Sequence, residues 1–233
     1  MASGVSVKGS YFPVLDRLIG DFQPARRIWR VNIRLSLWLV LEFSMLAMVA
    51  LAAPRRDLGS VLLNPHYVLP LGIFAIVGAA AGSLALRSSV PGLEASGSQI
   101  GAVSIAALVA LAVAVAVPAN IEITLRSFIG AGIKCLACTW IFALLPWIVL
   151  FWAVKRAAPL QGYLAGGLVG VAAFSFAFAA TRLGCPIDDS LHVLMWHILP
   201  GLVGVALSVV AGHMWLSKYD FIQSRYRVER NLS

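Results

Sequence analysis

The side chains able to do chemistry are few, and they gather in the second half of the chain. Cys135 and Cys138 stand in the run Cys-Leu-Ala-Cys, one helical turn apart and so on one helix face. Cys185 opens the run Cys185-Pro186-Ile187-Asp188-Asp189-Ser190-Leu191-His192. Thiols of this kind can close a disulfide, exchange electrons with another thiol pair, bind a metal, or simply fill a core as small apolar groups. Within the second run, Cys185, Asp188 and His192 offer a thiolate, a carboxylate and an imidazole to a soft or borderline ion. Their spacing matches none of the usual zinc patterns. Asp188, Asp189 or Ser190 also suits the start of a following helix, where a short oxygen side chain accepts orphan amide protons. The Cys-x-x-Cys could serve a membrane thiol oxidoreductase, since a helix start lowers a thiol pKa. Such an enzyme relays electrons to a second cysteine pair, and only Cys185 is left over.

The elements that must position these groups are membrane spans. Of the 233 residues, 60% are apolar and 12% charged, and the mean hydropathy is +0.88. Soluble domains run nearer 45–50% and about 25%, so an ordinary soluble enzyme is excluded, as is disorder. Six apolar runs are long enough for a helix to cross a bilayer: 33–53, 68–86, 100–118, 133–154, 163–181 and 193–216. None alternates as a β-barrel strand would. The expected fold is all-α, a polytopic bundle of six transmembrane helices. It divides into a cytoplasmic segment 1–32, the bundle 33–216 and a basic tail 217–233. The first apolar run starts too late and is too long for a secretory signal. Gly162, Gly166, Gly167 and Gly170 mark a face for close helix packing. Trp29, Trp38, Trp140, Trp152 and Trp215 fall toward span ends, where tryptophan anchors at the lipid interface.

Basic residues set the orientation. Of 18 Lys and Arg, only Arg55, Arg56, Arg126, Lys134 and Arg182 fall on one side of this topology. The other 13 fall with the two termini, which places both termini in the cytoplasm and all three cysteines at or near the outer face. In a bacterium that is the periplasmic side, where disulfides persist. A Cys135–Cys185 bridge is compatible with this arrangement. The net charge of +8 is then mainly a topology signal with some attraction to anionic lipid, and it implies no direct nucleic-acid partner.

Inside the spans there is little polar machinery. Glu42 is the one acid deep in a span, which makes it a candidate proton or ion site for a small transporter. No inverted-repeat pattern supports that. His197 and His213 lie in the sixth span, and hydrogen-bonded bundle histidines are the simpler reading of them than haem ligation. No motif calls for a cofactor. At the cytoplasmic start, Val14, Leu15, Leu18, Ile19 and Phe22 share one helical face. Pro24, Arg26 and Arg27 follow. This is the form of a helix that docks into a partner's groove, or of an in-plane membrane helix.

Several of these residues carry a resemblance. Cys135-Leu136 to Pro146, Lys155-Arg156-Ala157-Ala158-Pro159, Leu164-Ala165-Gly166 and Cys185-Pro186-Ile187-Asp188-Asp189-Ser190 to Trp196-His197 resemble the bacterial negative regulator of sigma F family. The start, Leu18-Ile19 to Pro24-Ala25-Arg26-Arg27, is similar to that family as well. The resemblance implies a non-enzymatic anti-sigma factor with six spans in the inner membrane. It implies that an extracytoplasmic-function sigma factor is held by the cytoplasmic segment and released when a stress is sensed through two periplasmic-side cysteines. Cys185 matches one of the two and Cys135 the other. Cys138, one turn away, could exchange with Cys135, so the pairing stays open between Cys135–Cys185 and Cys138–Cys185.

Overall fold

A computed structural model describes residues 29–216, apart from 91, 117–124, 158 and 160. Val14, Leu15, Leu18, Ile19, Phe22, Pro24, Arg26 and Arg27, expected to contact a partner, lie outside the described residues, as does the tail 217–233. The described chain is helical, with no strand among its residues. Helices α1 (Val31–Ala52), α2 (Leu58–Val61), α3 (Pro65–Ser88), α4 (Gly97–Ala114), α5 (Leu125–Lys155) and α6 (Gly162–Gly184) are followed by α7, which runs Ser190–Leu216. All but the one-turn α2 are long and apolar enough to cross a membrane, six in number. The chain is a multi-pass membrane protein.

Local signals set the helix starts. Asn64 caps α3 by accepting the His66 amide proton at 3.0 Å, with Pro65 at the first helical position, where its missing N–H costs nothing. Ser96 and Gln99 cap α4 reciprocally. Asp189 caps α7, its carboxylate accepting from the His192 amide at 2.9 Å. A glycine is required at one turn, Gly92 between α3 and α4, where φ is +83°.

The bundle is built around α6, which is 83% buried over its apolar window and packs against α1, α3, α5 and α7. Helix α4 lies against α3. The glycine face does what its composition suggests. A Cβ on Gly166 would stand 2.7 Å from the Gly212 Cα, and one on Gly170 2.7 Å from the Ser208 Cβ. In lipid, helices gain by this close van der Waals approach, because the tails are as apolar as leucine. The Ser208 hydroxyl seals the contact by donating to the Gly166 carbonyl at 2.6 Å, while accepting from the Trp147 indole at 2.7 Å.

One expected anchor is not an anchor. Trp38 is 2% exposed; its ring lies against Gly82 and edge-on to Phe176, and its indole N–H donates to the Pro146 carbonyl at 3.1 Å. The glycine opposite leaves room for an indole inside the bundle, so Trp38 fills the core. Trp29, Trp152 and Trp215 stay exposed. Glu42 is buried one turn below Trp38 on the inward face of α1. Its Oε1 has no hydrogen-bond partner among the described residues.

Candidate thiol–imidazole centre

The site lies where α5, the end of α6 and the start of α7 meet. Cys135 projects from α5. Cys185 caps the end of α6, its amide donating to the Thr181 carbonyl at 2.9 Å. Pro186 turns the chain away, and Asp189, three residues later, caps the start of α7. Beside the thiols, the Thr139 and Thr181 hydroxyls meet at 3.2 Å and tie α5 to α6.

Cys135 Sγ and Cys185 Sγ, fifty positions apart in sequence, are 3.4 Å apart and both buried. Cys185 Sγ is also 3.5 Å from His192 Nε2. His197 completes the group: one ligand-type atom from each of Cys135, Cys185, His192 and His197 lies within 4.8 Å of every other. All three cysteines are free thiols. The thiol of Cys135 donates to the Cys185 sulfur and holds that thiol's pKa below its ordinary value, against burial and with help from the His192 ring. Cys185 is thus the sulfur favoured as thiolate.

The place of His197 depends on a feature of α7. The helix widens into a π turn over Leu194–Ile198. At 3.6 residues per turn, side chains five apart diverge by about 140°. The π turn closes that divergence, and the His192 and His197 rings come to a centroid separation of 5.4 Å. Trp196, in the same turn, lies on Gly132 and against Phe128. It presses the π segment onto α5. The sequence offers His197 as a bundle histidine or a haem ligand and not as a neighbour of the thiols, since its spacing from His192 is wrong for one helical face.

Asp188 is placed elsewhere. Its carboxylate pairs with Arg55 at 2.7 Å and with Arg182 at 2.5 Å, while Arg55 also holds Asp57 at 2.7 Å. Both guanidinium groups lie over the Tyr67 ring, at 5.1 and 5.0 Å. Burial pushes the Asp188 carboxyl up, but hydrogen bonds and charge from the two arginines outweigh it and hold the pKa below the carboxylate range. Of the three residues offered as ligands from sequence, Cys185 and His192 are brought together. The third, Asp188, is engaged with arginines. The signal missed here was the match between arginines at span ends and aspartates in the adjoining loops.

Cys138 lines a half-open cavity of about 440 Å³ together with Cys135, Cys185, Lys134, Val49 and Ala53. This cavity gives the thiol pair a route to the outside and brings the end of α1 to its wall. The Cys-x-x-Cys therefore does not act as a closed pair: Cys135 faces Cys185, and Cys138 faces the cavity.

The family model described as negative regulator of sigma F matches residues 18–217, nearly the whole chain. The chain belongs to that family. Among curated relatives, it is 31% identical over 177 residues to the probable anti-sigma-F factor NrsF of Azospira oryzae, covering 73% of this chain and 81% of that relative. No solved structure matches. The negative regulator of sigma F family is one of transcriptional regulators, so the thiol–imidazole centre sits in a regulator's membrane domain.

Proposed function

We propose that the chain is a membrane-bound anti-sigma factor of the bacterial inner membrane. It holds an extracytoplasmic-function sigma factor through residues 1–32, with Val14, Leu15, Leu18, Ile19 and Phe22 as the apolar docking face and Pro24, Arg26 and Arg27 at its end. Both termini face the cytoplasm. The thiols of Cys135 and Cys185 on the periplasmic side sense the stress. The observation that carries this reading is their approach to 3.4 Å across fifty residues of sequence, in a chain of this family.

Closing a disulfide requires the sulfurs to approach from 3.4 Å to about 2.05 Å. The two thiols then lose two protons and two electrons to an oxidant entering by the cavity. That contraction pulls α5 toward the end of α6. The end of α6 is in turn bonded to the end of α1: the Arg55 amide donates to the Leu183 carbonyl at 3.0 Å and its guanidinium pairs with Asp188. Helix α1 begins at Val31, within the last two residues of segment 1–32. A shift at the thiols is therefore passed through Arg55 and α1 to residues 1–32, which is the bistable element such a switch needs.

The test is affinity purification of the tagged full chain from unstressed membranes. A sigma factor co-purifies, and replacing Leu18 and Phe22 by Asp removes it. Membranes that yield the tagged chain with no sigma factor overturn the reading.

A further inference from the structure

We propose that Cys135, Cys185, His192 and His197 form a four-ligand site for one zinc-type divalent cation. The inference shares its two thiols with the sensing centre proposed above and rests on that reading for its regulatory meaning.

The donor set argues for this class of ion. Two sulfurs and two imidazole nitrogens suit zinc in four-coordinate sites, and no carboxylate stands among them to favour magnesium or calcium. The spacing is close to what a tetrahedron needs. Zinc–sulfur bonds of about 2.3 Å and zinc–nitrogen bonds of about 2.0 Å give ligand–ligand edges of roughly 3.3–3.8 Å. The Cys135–Cys185 and Cys185–His192 edges are 3.4 and 3.5 Å, and no pair of the four exceeds 4.8 Å.

A second observation points to a ligand independently of the thiols. His197 is 1% exposed, yet neither of its ring nitrogens has a hydrogen-bond partner among the described residues. Buried polar atoms are nearly always satisfied. A cation takes up one nitrogen from each ring. Charge balance agrees as well: two thiols give up two protons to water, and the two thiolates neutralise the 2+ ion. With neutral imidazoles the centre carries no net charge, which an apolar bundle tolerates where it would not tolerate an isolated ion. The π turn has a purpose in this account, since it alone sets His197 beside His192. While the ion is bound both sulfurs are occupied, so disulfide closure waits on its departure.

Cobalt(II) is the probe, added to the full-length protein in detergent. One cobalt binds per chain with a thiolate-to-cobalt charge-transfer band and the intense d–d bands of a tetrahedral site, and zinc displaces it. His197→Ala weakens cobalt binding by at least about tenfold, and Cys135→Ser strips much of the charge-transfer band. Cys138→Ser leaves the spectrum unchanged. X-ray absorption at the zinc edge of the loaded wild-type protein finds two sulfurs and two nitrogens, and this measurement needs no variant to fold. A weak octahedral spectrum without thiolate bands, a first shell with three sulfurs, or a His197→Ala spectrum and affinity equal to wild type overturns the proposal. Intact ion binding without sigma capture overturns the anti-sigma reading alone; thiol-dependent sigma release without ion binding overturns this one alone.

Discussion

Asp188 shows how a loop carboxylate can be a structural keystone while standing near candidate ligands. It accepts from both Arg55 and Arg182, and the Arg55 side chain is 1% exposed. Removing the carboxylate leaves a buried guanidinium with Asp57 as its remaining ion-pair partner among those described. Hydrogen bonds to charged groups contribute about 1.5–3 kcal/mol each, and Asp188 is partly exposed, which lowers its share by screening. Asp188→Ala should cost roughly 2 kcal/mol in the unfolding free energy of the detergent-solubilised protein. Acid should mimic it. The folded carboxyl titrates below its unfolded value of about 3.9. Its contribution is therefore complete above that pH and is lost as pH falls through the folded pKa. Thermal unfolding of wild type and Asp188→Ala should converge as pH drops below about 4; a gap that persists there contradicts the ion-pair account.

At the scale of the helix, sequence and structure agree where composition carries the physics and part where a local backbone choice does. Six spans followed from apolar run length, and the Gly162–Gly170 face from the rarity of glycine without a packing reason. Trp38 looked like an anchor because its position near a span end is visible in sequence, whereas Gly82 opposite it, which makes room for the ring, is not. His197 was hidden for a similar reason. The π turn over Leu194–Ile198 reverses the face expected at 3.6 residues per turn, and nothing in the string Leu-Met-Trp-His-Ile announces it. The cysteines themselves were legible, but the choice between Cys135 and Cys138 needed the rotation of α5. The α6–α7 contact predicts its own mutants. Gly212→Ala sets a Cβ 2.7 Å from the Gly166 Cα and should destabilise by about 1–3 kcal/mol through overpacking. Gly59→Ala meets nothing within 4 Å and should be neutral or slightly stabilising. Denaturant midpoints in detergent check both; equal midpoints for Gly212→Ala and wild type would refute the packing argument.

At the scale of the molecule, the proposed function divides between two faces of the bundle. Only Glu42 is a buried acid within the described spans, and its Oε1 has no hydrogen-bond partner among the described residues. Glu42→Gln should accordingly leave sigma capture and release intact, as read by the same co-purification; loss of release would bring the acid into the mechanism. Orientation makes a further demand. A membrane-impermeant maleimide should label Cys138 through the cavity in intact cells, while an N-terminal tag should be reached by protease only after permeabilisation. Labels of the opposite sidedness would invert the topology and remove the thiols from the oxidising side.

One measurement addresses the link between the two faces directly. The full-length protein with its sigma factor bound is reconstituted in vesicles, oxidised from the cysteine side, and followed by sigma release alongside the state of each thiol. Release should track formation of the Cys135–Cys185 disulfide, proceed in Cys138→Ser, and fail in Cys135→Ser. A sigma factor that stays bound after the disulfide has formed completely, or one that leaves Cys135→Ser as readily as wild type, would contradict it.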